Sequence, residues 1–232
     1  MSRLPLAPDD GGGRFPGFDT LSQSRHWDAA TERLVRSRLE PPGPLRFFTA
    51  DQARTARALC DQLLGQRGEP RVPVEIMVDA RLAAGQTDGW HYDDMPEDGA
   101  AWRRTLAHLD EDAGHLAGSA GQRFADLPPA HQEQVLATVL DLEGERWHGM
   151  VALHVWSLWT RYACTAFYSH PWAWDEIGFG GPAYPRGYKN LGLDAREPFE
   201  VADARPSDPT RRAAHSGEPA GSEGAPVSGG AT

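Results

Sequence analysis

The side chains best suited to acid–base or metal chemistry fall in two places along the sequence. His91 sits beside Asp93 and Asp94, close to Glu97 and Asp98, and His148 lies just before His154. Imidazole and carboxylate are the groups that ligate zinc or trade protons near neutral pH. Neither set has the i,i+4 spacing that stacks two histidines on one helical face, and no third ligand follows at a telling distance. Hydrogen bonds that stabilise loops account for these residues more simply. A stand-alone enzyme would have to draw on His91, Asp93, Asp94 or His170 in a common pocket. His154 and Arg161 interrupt an otherwise apolar run, so they need partners if buried, and acids such as Asp175 or Glu176 could supply them.

Other routes to chemistry are closed more firmly. No Gly-x-Ser-x-Gly elbow is present, and Cys60 and Cys164 lie in apolar helical patterns that read as buried free thiols. Two cysteines cannot build a disulfide framework or a four-cysteine metal site. Gly178-Phe179-Gly180-Gly181-Pro182 lacks the strand–turn–helix context and third glycine of a dinucleotide loop, and Pro182 blocks the helix that should follow. The sequence therefore predicts no catalytic, cofactor-binding or metal-ligating residue in this chain.

Tyr168–Tyr188 stands apart, with two Trp, three Tyr, one Phe, three Pro and four Gly in 21 residues. Such a segment cannot be ordered by backbone ladders, so its aromatics must dock either on the core or on another chain. Tyr, Trp and Arg dominate interface hot spots, and glycine lets a backbone approach closely.

The elements that must position these residues read as helices. Trp27–Leu39 sets Ala30, Leu34 and Leu39 near one side before the breaker Pro41-Pro42-Gly43-Pro44. Thr49 and Gln52 form a capping box ahead of Ala53, Ala56, Leu59, Cys60 and Leu63, with Gly65 as the stop. Pro73–Ala84 carries Ile76, Met77 and Ala80 on one side, and the loop Gly85–Gly99 holds Trp90 and Tyr92. A helix over about 98–114 buries Trp102, Leu106 and Leu109, another starting at Leu127-Pro128-Pro129 carries Val135, Val139 and Leu142, and a central apolar helix covers about 149–168. No stretch alternates convincingly at period two. The expected fold is all-α, a compact bundle of five to six helices spanning residues 19–193, with long ordered aromatic, Gly and Pro loops. Residues 1–18 are expected to be flexible and 194–232 a disordered tail, because both are poor in apolar side chains.

Charge narrows the partners. With 23 basic and 33 acidic residues the chain carries a net −10, which disfavours nucleic acid and anionic membrane surfaces. The longest apolar run, Met150–Phe167, is interrupted by His154, Ser157 and Arg161, so membrane insertion is not expected.

The motifs also carry a resemblance. Arg46-Phe47-Phe48-Thr49, the run Val72–Leu82, Gly89-Trp90-His91-Tyr92-Asp93-Asp94-Met95-Pro96, Tyr168-Ser169-His170-Pro171-Trp172 and Ile177–Tyr188 resemble the gluconate 2-dehydrogenase subunit 3 family. These are the small (gamma) subunits of flavin-dependent sugar and polyol dehydrogenase complexes. The resemblance implies a non-catalytic accessory subunit that binds a FAD-dependent large subunit of the glucose–methanol–choline type and supports its maturation and stability. FAD would then belong to the partner, which oxidises a sugar, glycoside or polyol, and a cytochrome c subunit often takes the electrons. The partner-binding residues expected on this basis are Trp90, Tyr92, His170, Trp172, Trp174, Phe179, Tyr184, Arg186 and Tyr188. Many such subunits carry a twin-arginine export signal, whereas Met1–Gly13 has one Arg and no apolar run. A cytoplasmic location is expected as encoded, and a periplasmic or extracellular one only if the partner carries the export signal or the start codon is misassigned. The competing classes are a self-associating module and a stand-alone metal-dependent or acid–base enzyme.

Overall fold

A computed structural model describes residues 15, 18–118, 121–190 and 195–201. Its elements are a 3-10 segment Thr20–His26, α1 (Ala29–Ser37), α2 (Ala50–Leu64), α3 (Val74–Ala83), α4 (Asp98–Ala117), a 3-10 turn Phe124–Asp126, α5 (Pro129–Asp141), a hairpin of β1 (Arg146–Trp147) and β2 (Met150–Val151), α6 (Ala152–Phe167) and α7 (Pro171–Ile177). The all-α expectation holds. Among the described residues the sheet is the two-stranded antiparallel hairpin alone, pairing Arg146 with Val151 and Trp147 with Met150. No described helix is long and apolar enough to cross a membrane.

α6 is the central element and packs against α2, α3, α4 and α5. Its Val155, Leu158, Trp159, Tyr162 and Ala163 are buried with Leu59 of α2, Val78 of α3, Trp102, Leu106 and Leu109 of α4 and Val139 of α5. The Trp159 indole N–H is satisfied inside the core by donating to Thr105 Oγ1 at 3.0 Å. α2 begins with the expected capping box: Thr49 Oγ1 accepts the Gln52 N–H at 3.2 Å and Gln52 Oε1 accepts the Thr49 N–H at 3.0 Å. It ends on Gly65 in the left-handed conformation, φ 66°.

Four sequence expectations need correction. α1 turns its other side inward: Val35 is buried while Leu34 is 57% exposed and Ala30 is exposed. The helix touches the molecule through a small satellite cluster of Trp27, Val35 and Trp174, so one apolar residue fixes its orientation. α3 is rotated in the same way, because its inward face includes two acids. Val74, Glu75, Val78, Asp79 and Leu82 are buried, whereas Ile76, Met77 and Ala80 are only half-buried. Glu75 pairs with Arg71 at 2.6 Å, and fully buried Asp79 accepts backbone N–H groups from Arg46, Phe47 and Phe48 at 2.8, 2.9 and 2.7 Å. Cys60 is buried as expected, but Cys164 lies on the exposed side of α6. Finally, the aromatic segment is not all loop, since Pro171–Ile177 is helical.

The expected flexible segment 1–18 and tail 194–232 lie mostly outside the described residues. Residues 195–201 pack back on the domain. Glu197 is buried and accepts the backbone N–H groups of Lys189 and Asn190, while Phe199 lies under the Arg186 guanidinium at 3.6 Å. The folded unit therefore extends past residue 193.

Candidate functional site

The aromatic segment is built on the C-terminal end of α6. His170 caps α7: its Nδ1 accepts the Trp172 N–H at 3.2 Å, and Pro171 follows at the position where its missing N–H costs nothing. His170 is 2% exposed, and burial, joined by the positive charge of Arg38, pushes its imidazole down to a pKa of about 4. The side chain is therefore a neutral acceptor at physiological pH, the form that the cap requires.

Trp174 anchors the same turn. It is 5% exposed and packs with Trp27 and Val35, and its indole N–H donates to Tyr168 O at 2.6 Å. Arg38 lies over the Trp174 ring at 5.7 Å and donates to Ser169 O at 2.6 Å. α7 ends at Gly178, φ 67°, where the Phe179 N–H returns to Trp174 O at 2.9 Å and the Phe179 ring meets Trp174 edge-on at 5.3 Å.

The 3-10 segment Thr20–His26 clamps this turn from outside. The Thr20 N–H donates to Asp175 Oδ1 at 2.7 Å, and its hydroxyl donates to Phe179 O at 3.1 Å. Gly181, φ 76°, lies so close to Trp27 that a Cβ there would sit 2.3 Å from the ring. The chain reverses through a cis Tyr184–Pro185 bond, and Arg186 returns to donate to Gly180 O at 3.1 Å. On this scaffold the exposed large apolar side chains are Tyr168, Ile177, Phe179, Tyr184 and Tyr188, with Tyr184 at 66%.

A second aromatic site is carried by the loop over residues 85–97. Asp94 clamps it to the start of α6 by accepting the Val151 N–H at 3.0 Å and bonding His154 Nδ1 at 2.6 Å. Burial works to raise the Asp94 pKa, but these bonds outweigh it and hold the carboxyl below its ordinary value. Tyr92 stacks flat on His154 at 3.6 Å, and Trp90 meets Tyr92 edge-on at 5.2 Å. Arg161 lies over Trp90 at 4.5 Å and pairs with Asp88 at 2.9 Å, while Arg81 also reaches Asp88. Beneath them the Tyr162 hydroxyl donates to Asp98 Oδ2 at 2.6 Å, and burial followed by this bond drives the phenol pKa up. Trp90 remains 48% exposed above this network.

The predicted partner-binding residues therefore separate into three groups. Phe179, Tyr184, Tyr188 and Trp90 offer exposed surface, and Tyr92, Trp172 and Arg186 are half-buried. His170 and Trp174 are buried and hold the segment in shape instead of presenting a surface. The expected pairing of His154 and Arg161 with Asp175 or Glu176 is replaced by Asp94 for His154 and by Asp88 and Asp98 for Arg161. His91 and Asp93 are exposed, and Asp94 is committed to fastening the loop. Burial raises both the Cys60 and Cys164 thiols, the opposite of an activated nucleophile. The sequence reading missed Thr20, Trp27 and Arg38. Their contacts span more than 130 residues of chain, and only Asp19 and Asp28, which cap the flanking helical turns, signalled local order there.

Residues 50–181 match the family model described as gluconate 2-dehydrogenase subunit 3. The match takes in α2 to α7, the loop that carries Trp90 and Tyr92, and the glycines that close the aromatic turn. Neither the curated proteins nor the solved structures contain a match to the chain.

Proposed function

The chain belongs to the gluconate 2-dehydrogenase subunit 3 family, and from that we propose that it is the non-catalytic accessory subunit of a dehydrogenase complex. Its partner in this reading is a FAD-dependent large subunit of the glucose–methanol–choline type that oxidises a sugar, glycoside or polyol, and a cytochrome c subunit passes the electrons on. This chain binds the flavoprotein and stabilises it as it matures.

One observation carries the reading: exposed aromatic and aliphatic side chains stand on a backbone that buried groups fasten in place. Tyr184, Tyr188, Phe179 and Ile177 project from a turn fixed by His170, Trp174 and the Gly181–Trp27 contact. Apolar surface held in one conformation loses little entropy on docking, which favours association. The acids and imidazoles nearby act on structure: His170 caps α7 and Asp94 with His154 pins the second loop. A stable complex needs roughly 800 Å² from each partner, and the exposed aromatics provide the apolar centre for such an area.

Co-expression with a FAD-dependent dehydrogenase of the glucose–methanol–choline type from the same genome tests the reading. The two chains should co-purify, and the flavoprotein should be recovered with less FAD and less activity when this chain is omitted. A flavoprotein that folds, binds FAD and turns over equally well alone, and never co-purifies with this chain, would overturn it.

A further inference from the structure

We propose that His108, Glu111 and His148 form a binding site for a zinc-like divalent transition-metal ion that fastens the β1–β2 hairpin to α4. His108 and Glu111 lie three residues apart on α4 and so share a face, and His148 occupies the turn between β1 and β2. One ligand atom from each lies within 4.8 Å of the others. His108 Nδ1 and His148 Nδ1 are 3.3 and 3.7 Å from the same oxygen, Glu111 Oε2. Two ligands at zinc distances from a tetrahedral centre stand about 3.3 Å apart, so two edges of the coordination figure are already close to their final length. The imidazoles stack face to face at 4.0 Å and 7°, so binding turns each ring about its own side-chain torsions until the two ring planes, and with them the lone pairs, meet at a common point.

The outer contacts of His148 give the stronger argument. Its Nε2 lies 2.8 Å from Asp112 Oδ1, while Asp112 Oδ2 accepts the Trp147 indole N–H at 2.7 Å. Asp112 is thus held in place and selects the tautomer with the proton on Nε2, the arrangement that orients metal-binding histidines. In that tautomer the unprotonated Nδ1 lies 3.7 Å from Glu111 Oε2, acceptor beside acceptor, and a cation between them resolves the conflict. Two imidazoles and one carboxylate suit zinc and its first-row neighbours better than magnesium or calcium, and a set of three leaves a fourth position for water.

The test uses the full chain without a histidine tag, stripped with chelator and titrated with Zn²⁺ by calorimetry and with Co²⁺ by absorption. One equivalent should bind, Co²⁺ should show the intense visible bands of tetrahedral coordination, and Zn²⁺ should raise the melting temperature. His108→Ala and His148→Asn should each weaken binding by roughly tenfold or more, and Asp112→Asn by about tenfold. Asn is chosen at His148 because φ is 47° there and Asn tolerates the left-handed region. His131→Ala, at an exposed histidine outside the cluster, should bind like the parent chain. Absence of one-equivalent binding, or binding that His108→Ala and His148→Asn leave unchanged while both variants melt as the parent does, overturns the proposal.

Discussion

Individual side chains in this protein do their work mainly by holding backbone. Asp79 is the strongest case, a fully buried carboxylate shared by three N–H groups ahead of α2. Asp79→Asn places an amide donor against one of those N–H groups and should cost about 2 kcal/mol in chemical denaturation. His170 gives a pH signature. It stays neutral in the folded chain down to about pH 4, whereas its ordinary pKa is 6.5. The unfolded chain binds the extra proton between those values, so the His170 contribution is complete above pH 6.5 and declines as the pH falls toward 4. Denaturation at pH 7 and pH 5 should differ by on the order of 1–2 kcal/mol from this group, and His170→Asn, which keeps a cap acceptor, should remove that difference. Gly181→Ala combines a positive φ with a Cβ 2.3 Å from Trp27, and should cost roughly 2 kcal/mol or more while displacing the aromatic turn.

Elements differ in how well their own sequence specifies them. α2 carries its start, its stop and its apolar stripe within one stretch, and it was legible in full. Thr49→Ala should lower stability by about 1 kcal/mol through loss of the reciprocal cap. α4 and α6 were legible for the same reason, with Trp102, Leu106 and Leu109 on one face and a near-continuous apolar run in the other helix. α1 and α3 sit rotated from the faces that their apolar residues predict. In α1 a single buried Val35 outweighs two exposed apolar residues, and in α3 the buried Glu75 is paired by Arg71 just ahead of the helix while Asp79 is satisfied by backbone N–H groups more than 30 residues away. α7 was hidden because the cap that starts it is a histidine instead of Ser, Thr, Asp or Asn. Of the candidate site, the exposed aromatics were evident as residue types, but which of them face outward depends on Trp27 and Thr20, far away along the chain. The loop over residues 85–97 makes a testable element: Asp94→Ala removes its two tethers and should cost roughly 1–2 kcal/mol, with faster proteolytic cleavage within that loop.

At the scale of the whole molecule, a helical core centred on α6 supports two aromatic surfaces, one at each of its ends. The net charge of −10 makes neither nucleic acid nor an anionic membrane a natural ligand for them. In the proposed complex the turn bearing Ile177, Tyr184 and Tyr188 docks the dehydrogenase large subunit. The most direct measurement is affinity capture of the co-expressed flavoprotein by the parent chain and by an Ile177→Asp, Tyr184→Glu variant, with thermal melting of each isolated subunit as the folding control. Both substituted side chains are exposed, so the variant should melt close to the parent while capture falls by tenfold or more, roughly the loss of one hot-spot contact. Equal capture by a variant that melts like the parent would show that this turn does not dock the flavoprotein.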